Sequence, residues 1–594
     1  MTRSGPAAQS KRDTRALKYG VVLACGTLKA WQLACIRELE ASGHARLVCI
    51  INDSTSSFPP ANVRDRAYER FCGMLDLPSQ SSASTSALRQ DRSDLLEIEA
   101  WLSPTDLDWK QDVRDLDLDF ILLFGERAMG VELLDVARYG VWQFVHSDPA
   151  HLSTAAPCFW EIYHDHDVTG AMLLRMEKSD VGGVVLKSAC FPTIRDSFEQ
   201  NLEAAFAALP AWPAQVCRDI NRGSATYFDD EPLPCAPVHY GVPSPLQILH
   251  LRALEAQTRF AHYVHSRFYS IDWNLFVLKG SPSEFIGADR QAEVTDLFPY
   301  TKGLYLADPC VVRRGARTYV MCEEYRYKTN LGVVAAFEVP SNGAARPQVA
   351  IEEPYHLSYP HVFEDGGEVF CVTESARAKK VCLYRSVEFP HRWEYVRTLL
   401  DDFRAADSTL LRFDNKLWLF CTGGEHPKRG DDTHLYIWYA DDLWGEWTPH
   451  ARNPVKIDVR SSRPAGEFFT HENVLYRPTQ DCSRTYGGAI RINRIDKLTE
   501  TDFKESVAGV IRPPATSYDK GIHTISSAGG WCIVDAKRYV FNPGGIVAVL
   551  RRAVKDAALR MGIPAETLRS LKRRLNGKLV PVAQPQAPPQ ERVV

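Results

Sequence analysis

The chain has 594 residues and a formal net charge of −4, with 45% hydrophobic and 24% charged residues. That length calls for more than one domain, and the near-neutral balance offers no basic footprint for a nucleic acid partner. No apolar run reaches the roughly 18 residues that a spanning helix needs, so no transmembrane segment is expected.

The order of elements begins with a polar, basic stretch, 1–17, read as disordered. From 18 to 220 apolar strands alternate with helical stretches. YGVVLAC reads as a strand, LKAWQLACIRELEASG as a helix and ARLVCIIND as a strand. A Ser-rich surface loop covers 79–94, and DFILLFG, VELLDVARYG and VWQFVHS read as strand, helix and strand. Buried strands joined by helical crossovers predict a parallel sheet covered on both faces, a Rossmann-like α/β domain. ACGTLKA, after the first strand, holds a single Gly, so it lacks the glycine pattern of a dinucleotide site. His146 falls at the end of a strand, where such sheets bind ligands, and Ser147 and Asp148 beside it suit an open pocket. His164, His166 and Asp167, in YHDHDVTG, read as a solvated loop, and no metal is expected.

Residues 221–270 form a linker, with a helix predicted over 244–270. Beyond it, from 271 to 545, short aromatic and β-branched strands are separated by Gly, Asn and Asp turns. Five segments align, starting at 307, 358, 406, 462 and 521, which gives spacings of 51, 48, 56 and 59 residues. A period near 50 suits one four-stranded blade per unit, and therefore a five-bladed β-propeller; a β-sandwich is the alternative. DWNLFVL, 272–278, precedes the first unit and would supply a closing strand. A basic helical segment is expected over 546–576, able to touch a membrane surface, followed by a disordered tail, 577–594.

The polar openings of the five units are Asp308, Tyr359, Asp407, Arg463 and His523, which a propeller would bring to its axis. Carboxylates accept from sugar hydroxyls and a Tyr face can stack on a sugar ring, so this set suits a polyhydroxylated ligand. Two carboxylates can also work as a glycosidase acid/base pair, with Glu374 as a further acid. The structural alternative is that Asp308 and Asp407 fasten strand starts through Asx turns. The chain holds 15 Cys with no C-x-x-C pair, and several sit in apolar runs. They read as reduced core thiols of a cytoplasmic protein.

Two resemblances add to this reading. DFILLFGERAMGVELLDVARYGVWQFVHSDP and VTGAMLLRMEKSDVGGVVL resemble the formyltetrahydrofolate-dependent formyltransferases, of the methionyl-tRNA formyltransferase type. The resemblance implies His146 and Asp180 as catalytic residues. It also implies a 10-formyltetrahydrofolate site along Glu126, Arg127, Ala128, Met129 and the loop beginning at Glu177. Phe144 stands where that family has an Asn, and Gln143 or Ser147 would have to supply the missing donor. ADPCVV, EPYHLSYPHVFEDGGEVF, ADSTLLRFDNKLWLF and NPVKIDVRSSRPAG are similar to the N-terminal domain of glucosamine inositolphosphorylceramide transferases. This second resemblance implies a five-bladed fold related to family 43 glycosidases.

The expected function is N-formylation of an amino sugar of a glycan or its precursor, with the propeller binding the sugar. The alternatives are a glycoside hydrolase acting through the propeller, and a non-catalytic glycan-binding protein.

Overall fold

The computed structural model describes residues 15–24, 27–53, 63–75, 77–80, 82–84, 98–124, 131–146, 156–177, 183–233, 240–298, 303–339, 346–424 and 432–544. Two compact units divide the chain, Met1–Ala189 with Ser197–Arg252, and Cys190–Asp196 with Ala253–Val594. The boundary falls inside a helix, Pro245–Phe268, rather than in a loop. That helix starts where the sequence supplies a reciprocal cap: Ser244 N donates to Gln247 Oε1 at 2.8 Å, and Gln247 N donates to Ser244 Oγ at 3.4 Å. The expected terminal disorder and the segment 546–576 lie outside the described residues, except that Leu17 already opens the first strand.

The first unit is built on a seven-stranded sheet. Its order is Ala100–Leu102, Ala45–Asp53, Leu17–Ala24, Phe120–Leu123, Val141–Val145, Val168–Met176 and Gly183–Pro192. The first five strands are parallel, and Val168–Met176 is antiparallel to Val141–Val145. The sheet therefore departs from the wholly parallel arrangement expected: the connection 146–167, which carries the short helix Phe159–Tyr163, returns the chain antiparallel although it is long enough for a crossover. Strand FILL is buried along its whole length, as a central strand covered on both faces must be. Phe120 stacks on Trp142 at 3.9 Å within this core. The helix expected near 30 spans Ala30–Ala41 and buries Trp31, Leu33, Cys35, Ile36 and Leu39. The helix expected over 131–140 does not run its length: residues 133–139 are turns and bends.

The second unit is a five-bladed β-propeller. Its blades open with the strands Leu304–Arg314, Ser358–Asp365, Ala405–Phe413, Phe469–His471 and Ile525–Ala528, and each belongs to its own sheet of four or five strands. Four of the opening hairpins turn on two consecutive residues of positive φ: Gly366 and Gly367, Asp414 and Asn415, Glu472 and Asn473, Gly529 and Gly530. This is the turn that matches the twist of a two-residue hairpin. The last blade is assembled from both ends of the unit. Tyr269–Leu278 pairs antiparallel with Trp531–Phe541, from Tyr269 opposite Phe541 to Val277 opposite Ile533. Apolar side chains of adjacent blades close the gaps, as where Cys310, Met321 and Val334 meet Val362, Val369 and Cys371. The 13 described cysteines are all free, and 12 of them are buried.

Candidate functional site

The same local device recurs in the first three blades. The opening strand of each is interrupted between Ala307 and Cys310, between Ser358 and His361, and between Ala406 and Thr409. At each interruption one non-glycine residue has a left-handed backbone: Asp308 (φ 53°), Tyr359 (φ 45°) and Asp407 (φ 52°). Asp tolerates this region because its short side chain bonds locally, whereas a bulky Tyr there is strained by about 1–3 kcal/mol. Such a bulge frees a backbone N–H from the ladder and turns it toward the axis.

Carboxylates of the preceding blade take up those N–H groups. Asp308 N donates to Asp535 Oδ2 at 2.9 Å, Tyr359 N to Asp308 Oδ2 at 3.2 Å, and Asp407 N to Glu374 Oε2 at 3.2 Å. Gly466 N, on the approach to the fourth blade, donates to Tyr359 Oη at 2.7 Å. Asp308 and Asp407 therefore fasten neighbouring blades to one another.

Two charge clusters complete the ring. In one, His523 lies between two acids, with Nε2 3.1 Å from Asp308 Oδ1 and Nδ1 2.7 Å from Asp535 Oδ1. Burial alone would lower its pKa, but the carboxylates of Asp535 and Asp308 outweigh it and raise the imidazole to about 10. Trp273 covers the ring at 4.1 Å. Asp308, His523 and Asp535 place their ligand atoms within 4.8 Å of one another, close enough to hold a metal ion.

In the other cluster Arg463 Nε donates to Asp407 Oδ2 at 2.6 Å. Its two terminal nitrogens reach Asp432 Oδ1 at 2.8 Å and Glu374 Oε2 at 3.3 Å. Gln480 Nε2 also donates to Asp407 Oδ2 at 2.6 Å. Even so, burial raises Asp407 to about 7. Between the clusters, burial also raises Glu467 to about 7, although Cys310 Sγ at 3.1 Å and Ser526 Oγ at 3.3 Å donate to it. Glu467, with no cation bonded to it among the described residues, is the one of the two whose raised pKa suits a general acid.

All five residues read from the repeats come together, with Glu374 beside them. Tyr359 is only 5% exposed, so it offers no open ring face for stacking, and its hydroxyl is held by Thr409 and Gly466. Sequence reading missed Glu467, Asp535, Asp432 and Gln480. Glu467 had a visible signal: it follows the polar opening of the fourth repeat, in SRPAGEFF.

In the first unit, Asp180, Glu126, Arg127, Ala128 and Met129 lie outside the described residues. Glu177 is described, and its carboxylate is bonded to Arg175 at 2.9 Å. His146 follows the strand Val141–Val145, stacked on Phe206 at 4.3 Å and edge-on to Trp31 at 5.5 Å. Burial lowers it to about 4, and among the described residues its buried Nδ1 has no hydrogen-bond partner. Phe144 also meets Trp31, at 5.2 Å, so it shares the face of His146. The pairing from Trp142 to Val145 is unbroken, so Gln143 faces the other side and cannot stand in for the missing donor. His164 and His166 stack at 5.9 Å, and among the described residues they form no metal cluster.

The second unit is thus a five-bladed propeller with carboxylates, an Arg and a His gathered near its axis. Residues 295–519 match the family model described as glucosamine inositolphosphorylceramide transferase 1, N-terminal. The relative of that name from Oryza sativa subsp. japonica is 33% identical over 205 residues, 34% of this chain and 27% of its own length. The one from Arabidopsis thaliana is 33% identical over 207 residues, 34% of this chain and 27% of its own length. This chain thus spans about a quarter of these curated relatives. Among solved structures, a family 117 glycoside hydrolase of Zobellia galactanivorans aligns at 12% identity and TM-score 0.31, covering 46% of this chain and 90% of its own. A β-xylosidase, RS223, aligns at 14% identity and TM-score 0.30, covering 40% and 84%. No described helix is long and apolar enough to cross a membrane.

Proposed function

We propose that this protein acts in glycan biosynthesis, with the axial end of its propeller holding a sugar and its first unit carrying a group-transfer reaction. One observation carries the reading: bulged strands in three blades, with Tyr359 held in a strained left-handed backbone, bring Asp308 and Asp407 to His523 and Arg463. Strain of this kind persists where the surroundings over-determine it, and it clusters at ligand sites. The names of the curated relatives support a glycan context. Glu374 and Asp432, the less enclosed acids of the Arg463 cluster, are the groups placed to accept from sugar hydroxyls.

For the transfer itself we propose N-formylation of an amino sugar in the cytoplasm, with 10-formyltetrahydrofolate supplying the formyl group. The position of His146 just after the strand Val141–Val145 supports this reading, although burial that lowers its pKa to about 4 makes it a weaker base than an ordinary imidazole. The described residues fit the group only in part, since Phe144 replaces a donor and Gln143 faces away. The test is mass spectrometry of an amino-sugar panel incubated with the protein and the formyl donor. A gain of one formyl group, reduced about 100-fold in His146→Ala at unchanged melting temperature, supports transfer. No formylated product from any amino sugar overturns it.

A second reading, hydrolysis of a glycoside at the axis, is favoured by Glu467, whose pKa of about 7 suits a general acid. Release of phenol from an aryl glycoside, abolished in Glu467→Gln, would establish it.

A further inference from the structure

The helix Pro245–Phe268 runs without interruption through PLQILHLRALEAQTRFAHYVHSRF. Leu251 and Glu255, both 0% exposed, mark the side turned into the protein. Arg252 Nη2 donates to Glu199 Oε1 at 2.9 Å and Arg259 Nη1 to Asp196 O at 2.6 Å, which fixes the rotation of the helix about its own axis. The other side presents Leu246, Leu249, Ala253, Ala256, Phe260 and Tyr263, every one of them exposed. The four large side chains among these are 78%, 68%, 70% and 52% exposed, in chain order.

These six residues follow one another at steps of 3, 4, 3, 4 and 3. That alternation is the a and d pattern of a heptad, which draws one apolar seam along a helix for a partner helix. A helix side that faces water normally carries charge instead. Among the exposed residues of this helix Arg259 is the sole Asp, Glu, Lys or Arg, and its guanidinium is already held by Asp196. Depletion of charge beside exposed aromatic and aliphatic residues is the composition of an interface core.

The seam is matched to a second copy of itself. Its six positions are symmetric about a point between Leu254 and Glu255, with alanines at the centre and large residues at both ends. Turned end for end, a second helix sets Leu246 against Tyr263, Leu249 against Phe260 and Ala253 against Ala256. Each layer then joins one aliphatic residue to one aromatic, or Ala to Ala, and the alanines let the axes approach at the centre. A parallel pair would stack Leu on Leu at one end and Tyr on Tyr at the other, splaying the axes. Antiparallel pairing also sets the positive N-terminal end of each helix beside the negative C-terminal end of the other. With roughly 200 Å² for a fully exposed side chain of this size, the four large residues leave about 500 Å² open on each copy. A pair would bury about 1,000 Å², the size at which specific interfaces begin.

We propose that this seam is the interface of a two-fold dimer, covered on each copy by the same helix of the other in antiparallel orientation. None of its residues belongs to the axial ring or touches His146, so the proposal stands independently of the reaction proposed above.

Sedimentation equilibrium of the full chain from about 0.1 to 100 μM, the range of ordinary protein association, tests it. The wild type should reach twice the mass of one chain. Leu249→Glu alters an exposed side chain, so it should keep the circular dichroism of the wild type. It should weaken dimerisation by at least about thirtyfold, the cost of losing one hot-spot residue. Phe260→Lys should do the same. Leu249→Glu and Phe260→Lys combined in one chain should dimerise more tightly than either variant alone, because antiparallel copies set each introduced acid against an introduced base. A combined variant no tighter than the single ones refutes the antiparallel pairing. A wild type that stays monomeric at 100 μM, or a dimer indifferent to Leu249→Glu, overturns the proposal. Monomeric wild type that floats with phosphatidylserine vesicles, when Leu249→Glu does not, gives the face to a membrane surface and overturns it equally.

Discussion

Replacing His523 by Gln would remove the one cation between two buried acids. Asp308 and Asp535 are 6% and 0% exposed, and His523 itself is 2% exposed, so solvent cannot compensate. Breaking a buried pair by deleting one partner costs about 3–5 kcal/mol. The same cluster sets a pH dependence. The folded-state pKa of His523, about 10, lies above the unfolded value of about 6.5. Its stabilisation is therefore complete below pH 6.5 and drains away as pH rises through 10. Three and more pH units at roughly 1.4 kcal/mol each give an upper bound of about 4–5 kcal/mol, shared with the coupled acids. Urea unfolding followed by tryptophan fluorescence should report the event, since Trp273 lies 4.1 Å from the imidazole. The wild type should lose several kcal/mol between pH 7 and 10. His523→Gln should be less stable at pH 7 and lose little more over that range. A variant within about 1 kcal/mol of wild type at pH 7, with a parallel pH profile, would refute the reasoning.

Glu467→Gln should raise the melting temperature at pH 8 and leave it unchanged at pH 5, because a carboxyl raised to about 7 is costly only when ionised. Tyr359→Phe leaves the N–H of Gly466 without its acceptor and should cost about 1–3 kcal/mol in chemical denaturation. Gly466→Ala would set a Cβ 1.9 Å from Ile525 O and should prevent normal folding, scored as loss of soluble protein. Gly367→Ala, with open space around it and φ +82°, should cost only about 1 kcal/mol.

The repeat pattern was legible because each blade must place a turn and an apolar strand at the same spacing, and DWNLFVL could be read as the closing strand. The five polar openings were also legible, since Asp308, Tyr359 and Asp407 fall within their blades' opening strands and Arg463 and His523 just before theirs. Their partnerships were not. Whether Asp308 meets a sugar or the backbone of Tyr359 depends on how neighbouring blades approach, and no local pattern encodes that. Glu467 stood in view just after the fourth polar opening, but its burial beside Cys310 and Ser526, which makes it unusual, depends on that same approach of the blades. In the first unit the apolar runs marked the central strands correctly. The antiparallel return of Val168–Met176 was hidden, because a buried strand reads alike in either direction.

The joining of Tyr269–Leu278 to Trp531–Phe541 has a bearing on how this protein is made. The first of these strands leaves the ribosome more than 200 residues before its partner, and until then it presents an unpaired edge. Edges of that kind recruit other chains, and contacts this distant in sequence form slowly. Synthesis that stops short of Trp531 leaves the circle open, with Tyr269–Leu278 paired only on its other edge, to Val294–Asp296. Termination before Phe541 should therefore leave the last blade unclosed and the truncated product prone to association through that edge.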